Sequence, residues 1–80
     1  MSTLNRTVVL DTMIKHETLI IHDIGKRENL GFVPNKDHLR LLLDELTESG
    51  YLNIMAGVTP RTYTITEKGI AEGRRLKEDV

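Results

Sequence analysis

The chain has no cysteine and no tryptophan, only three aromatic residues (Phe32, Tyr51 and Tyr63), and two prolines in 80 residues. Without cysteine there are no disulfides and no thiolate metal sites, so packing alone must hold the fold, in a reducing or an oxidising compartment equally well. Three aromatics are too few for a base-stacking platform, and Tyr51 and Tyr63 are expected to pack inward. No apolar run nears the roughly 20 residues of a membrane span, and "MSTLNRTVVL" has no signal-peptide core. The sequence therefore reads as soluble and cytoplasmic. Catalytic patterns are missing as well: there is no nucleophile-base-orienter set, and "GKREN" lacks the spacing and the following Ser/Thr of a phosphate loop. His16, His22 and His38 are scattered without a carboxylate or cysteine pattern, so they are expected at the surface and not as metal ligands. The expectation is a non-enzyme without cofactor or metal.

What is present is enough for one domain, residues 1–80, with one core. At 39% apolar and 29% charged residues, a chain of this size buries about 60% of its extended surface. The formal net charge is -1, and the charges are unevenly placed. Residues 36–50 carry two Lys/Arg against four Asp/Glu, whereas residues 51–80 carry five against four. Affinity for nucleic acid comes largely from phosphate neutralisation, so any such surface here must be local.

The most legible element is "PNKDHLRLLLDELTESGYL". Leu39, Leu42, Leu43 and Leu46 fall at i, i+3, i+4 and i+7, one face of a helix spanning about residues 36–49. Asn35 is placed as its N-cap, Asp37 sits in the first turn where the dipole favours an anion, and Gly50 is placed for a left-handed turn. Leu41 lies about 100° from Leu42, so it sits either partly buried at the edge of the core, the expected place, or exposed. Upstream, Val9, Leu10, Met13 and Ile14 mark a helix despite the β-branched run Thr7–Val9. Thr18 and Leu19 suggest a very short strand, leading into one helix carrying Ile20, Ile21 and Ile24. Leu52, Ile54 and Ala56 alternate along one strand, and Tyr63 and Ile65 along another, with "GVTP" as a loop of about four residues between them. Thr66 then caps a last helix, "EKGIAEGRRLKED".

Helix, short strand, helix, helix, two-stranded hairpin, helix is the element order of a winged-helix (winged helix-turn-helix) domain, an α+β fold in which the hairpin is the wing. "LRLLLDELTESGYL" followed by "RTYTITEKGIAEGRRL" also resembles the third helix, wing and fourth helix of PadR-like and, less closely, MarR-like bacterial transcriptional regulators. The resemblance rests on Leu42, Leu43, Leu46, Gly50, Tyr51, Leu52, Tyr63, Thr66 and Gly69; it covers about residues 34–76, and the first third by element order alone. It implies transcription regulation by binding duplex DNA, with the third helix in the major groove and the wing (about 52–66) on the adjacent backbone or minor groove. The implied contacts are Lys36 and Arg40 on the helix and Thr59 and Arg61 on the wing. The resemblance also implies a homodimer paired through terminal helices, with Val8, Val9 and Met13 of the first or Ile70 and Leu76 of the last as its seam. The alternative is a protein-interaction module of the same fold, with Asp44, Glu45 and Glu48 turned towards a basic partner or towards solvent.

Overall fold

Local signals account for most helix boundaries in the computed structural model, which describes residues 4–78. Helix α1 (Arg6–His16) starts where the Asn5 side chain accepts from the Val8 N–H at 3.0 Å, and it ends with Lys15 and His16 in its last turn. The β-branched run does not prevent it, because Val9, Leu10 and Met13 are fully buried and burial outweighs a few tenths of a kcal/mol of propensity. Glu17, at φ 64°, turns the chain into β1 (Thr18–Ile20), and its carbonyl accepts from the Ile65 N–H at 3.0 Å.

The single helix expected next is two short ones, α2 (Ile21–Ile24) and α3 (Arg27–Leu30). Gly25 closes α2 through its N–H to the Ile21 carbonyl, Lys26 is extended, and the Asn29 amide bridges back to the Asp23 carbonyl. The break has a packing reason. Residues six apart on one helix point about 120° from each other, yet Ile24 and Leu30 both reach the core here.

Helix α4 (Lys36–Glu48) forms as its pattern predicts: the Asn35 side chain accepts from the His38 N–H at 3.0 Å, and Leu39, Leu42, Leu43 and Leu46 are buried. Gly50 adopts φ 84°. Its N–H reaches the Thr47 carbonyl while the Tyr51 N–H reaches the Leu46 carbonyl, the paired bonds of a glycine-terminated helix. Strands β2 (Leu52–Ile54) and β3 (Thr62–Ile65) follow, and β3 lies at the centre of an antiparallel sheet of order β1-β3-β2. Tyr63 on that central strand faces Leu19 on one side and Ile54 on the other, and it is fully buried. The expected four-residue connection is longer. Pairing ends at the bond from the Met55 N–H to the Thr62 carbonyl, which leaves Ala56 in a loop from Met55 to Arg61 that turns at Gly57 with φ 73°.

Helix α5 (Glu67–Glu78) is capped by Thr66, whose hydroxyl accepts from the Gly69 N–H at 2.9 Å. Asp79, included in the expected helix, lies outside the described residues. α5 packs on α1: Arg6 pairs with Glu72 at 3.2 Å and Lys77 with Asp11 at 2.9 Å. Hydrogen bonds from Arg75 first, and from Arg6, bring the Glu72 carboxyl down to about 2 against the partial burial that opposes them. This packing corrects the expected dimer seam. Val9 and Met13 are enclosed within the protomer's own core and are closed to a partner. No helix among the described residues is long and apolar enough to cross a membrane.

Two glycines set how closely α5 approaches its neighbours. A Cβ at Gly69 would overlap the Tyr51 carbonyl oxygen, a backbone atom, whereas one at Gly73 would meet Ile14 Cδ1 at 2.6 Å, the movable end of a side chain. Gly69→Ala is therefore expected to cost more than about 2 kcal/mol, and Gly73→Ala less than about 1 kcal/mol once Ile14 changes rotamer. Urea denaturation of the two variants checks this, and equal stabilities would contradict the packing described.

Candidate nucleic-acid interface

Away from its leucine stripe, α4 carries two parallel rows of exposed side chains. Lys36, Arg40 and Asp44 are four residues apart and form one row, continued by Glu48; Asp37, Leu41 and Glu45 form the next. Leu41 is 65% exposed, not partly buried as its proximity to Leu42 suggests. The stripe is already filled by its four leucines, and Leu41 is turned to the side away from them.

Among the described residues neither Lys36 nor Arg40 pairs with a carboxylate. Both line a cleft of about 530 Å³ between α2 and the start of α4, together with the apolar Ile21, Val33 and Pro34. Lys26 and His22 share that cleft. Sequence reasoning passed over both, because only the fold of α2 against α4 brings them beside Lys36 and Arg40, and no local pattern signals it.

Arg61 ends the hairpin loop, just before β3. Its carbonyl accepts from the Ile21 N–H at 3.1 Å, which fixes the residue at the β1–α2 junction, and its Nη1 lies 4.0 Å from Asp44 Oδ1, next in the row after Arg40. Both partners are about half exposed, so the pair contributes little to stability. The hydroxyl of the buried Tyr63 has no hydrogen-bond partner among the described residues. The structure thus gathers Lys36, Arg40 and Arg61 along one side of α4, while Thr59 stands apart at the exposed loop tip.

The hairpin tip is uncharged from Leu52 to Pro60. The exposed large apolar side chains among the described residues are Val33, Leu41, Ile54, Met55 and Val58, and none of them lies on α1 or α5. The face thus offers a row holding Lys36 and Arg40, a neighbouring row of carboxylates and leucine, and an apolar loop. His16, His22 and His38 are all exposed, and no group of three or more His, Asp or Glu among the described residues is arranged to hold a metal ion.

Comparison with known proteins places this geometry in a fold. F93 from STIV, a winged-helix DNA-binding protein, superposes with a TM-score of 0.82 over 96% of this chain and 90% of its own, at 19% identity. A transcriptional regulator from Clostridium thermocellum superposes with a TM-score of 0.78 over 92% of this chain and 77% of its own, at 22% identity. No family model matches the sequence, and no curated protein does. The fold is a winged helix, and the β2–β3 hairpin is its wing.

The two faces of α4 respond differently to substitution. Leu41→Ser is expected to change stability by less than about 0.5 kcal/mol, as at an exposed surface site. Leu43→Ala, in the core, is expected to cost about 2–5 kcal/mol. Thermal denaturation of the two variants separates them, and a cost at Leu41 approaching that at Leu43 would contradict its exposure.

Proposed function

We propose that this protein is a non-enzymatic, cytoplasmic transcriptional regulator that binds duplex DNA through α4 and the wing. The observation that carries the reading is the alignment of Lys36, Arg40 and Arg61 along one side of the recognition-position helix, with the first two unneutralised among the described residues. With a formal net charge of -1, the molecule has no general attraction for a polyanion, so this local row must supply the phosphate contacts. Thr59 at the wing tip adds a neutral hydroxyl for the adjacent backbone, and Lys26 extends the row across the cleft. The PadR-like pattern of residues 34–76 and the names of the two structural neighbours support the same reading.

We place the regulator as a homodimer, because a single copy offers few phosphate contacts. With Val9 and Met13 inside the protomer, Val8, Ile70 and Leu76, all half-buried, are the remaining seam residues. The exposed carboxylates of Asp37, Asp44, Glu45 and Glu48 favour a second reading, a protein-interaction module whose partner is basic.

Fluorescence anisotropy with a labelled mixed-sequence duplex across a salt series tests the first reading. Three cations per protomer predict a slope of log affinity on log salt of about -3 per protomer. The double variant Arg40→Ala/Arg61→Ala is expected to make the slope shallower by about two and to bind at least about tenfold more weakly. Absence of binding at low salt, or an unchanged slope in the variant, would move the assignment to the interaction module.

A further inference from the structure

We propose that α4 reads thymine through Leu41, and that the base edges facing its acidic row present methyl and amino groups, not the acceptor pair of guanine. The inference rests on the DNA-binding reading above and names the class of sequence that reading leaves open.

The two rows of α4 cannot do the same work. Lys36 and Arg40 are suited to phosphate, and Arg61 offsets Asp44 at the end of their row. The neighbouring row of Asp37, Leu41 and Glu45 has no cation, and two carboxylates held against a phosphate backbone would repel it. When α4 lies in the major groove with its cationic row towards the backbone, the second row meets the floor of the groove.

The floor offers a limited set of partners. Thymine presents a C5 methyl, cytosine and adenine present amino donors, and guanine presents two acceptors, N7 and O6. Leu41 has an apolar side chain at the middle of the row, 65% exposed and free of any role in the core, and its complement is the thymine methyl. Asp37, one turn earlier, accepts from an amino group and is repelled by the acceptors of guanine. The usual cation for guanine is missing from this row, so a guanine edge opposite Leu41 and Asp37 is selected against and a thymine edge is selected for.

The test begins by selecting binding duplexes from a randomised library with the whole protein, then replacing thymine with deoxyuridine in the selected duplex, which deletes only the C5 methyl. Wild type is expected to lose about fourfold in affinity for each thymine that Leu41 contacts, the value of one buried methyl group. Leu41→Ala, at an exposed position, is expected to bind thymine and uracil duplexes alike. Equal wild-type affinity for the two duplexes, or the same loss in Leu41→Ala, would overturn the inference while leaving DNA binding intact. Recovery of no binding duplex would overturn the DNA-binding reading, and the inference with it.

Discussion

Thr66 ties the wing to the helices on either side of it. Its hydroxyl donates to the Gly50 carbonyl at 2.7 Å and accepts from the Gly69 N–H at 2.9 Å, and its own N–H donates to the Tyr51 carbonyl at 3.1 Å. One residue therefore caps α5, closes the end of α4 and ends the hairpin. Gly69 completes the arrangement by letting α5 lie directly on the Tyr51 carbonyl. Lys68 adds a bond from its ammonium to the Ser49 carbonyl and lies 5.2 Å from the Tyr51 ring centroid, with Arg6 near the same ring at 5.7 Å. Because β2 leaves this junction and β3 returns to it, hydrogen bonds at their common root hold the wing against the end of α4.

That constraint explains how a weakly charged protein presents a charged surface. The sheet holds Arg61 at the β1–α2 junction, and α2 packs so that its cleft with α4 contains Lys26, Lys36 and Arg40. Cations from separate stretches of sequence converge on one side of α4, with Asp44 among them and Asp37 and Glu45 in the next row. A helix that is acidic by count thus carries Lys36 and Arg40 on one side and Asp37, Leu41 and Glu45 on the next. The same geometry leaves α1 and α5 bound to each other by ion pairs and close packing, a scaffold without exposed large apolar side chains among the described residues.

Much of this was legible locally, and the reasons are specific. α4 announced itself because its leucine period, Asn35 cap and Gly50 terminator are all short-range signals; the hairpin did so through the alternation of Leu52 with Ile54 and of Tyr63 with Ile65. The break between α2 and α3 was not legible, since it serves the simultaneous burial of Ile24 and Leu30, a tertiary demand. Val9 and Met13 looked like a seam because an apolar helix face does not say whether its partner is α5 of the same chain or another copy. Leu41 looked half-buried because adjacency to the stripe does not reveal that the stripe is full. Among the candidate contacts, Lys36, Arg40 and Arg61 were identifiable by residue type and element, while Lys26 depended on a cleft made by two elements.

The central claim is that DNA meets this protein on α4 and the wing. Backbone amide shifts recorded by NMR while a mixed-sequence duplex is added at low salt test it most directly. The account predicts that the largest shifts cluster at residues 36–45 and 55–61, with Lys26 alongside, and that α1 and α5 stay unmoved apart from any dimer seam. Shifts concentrated on α1 and α5, or none at saturating duplex, would contradict it.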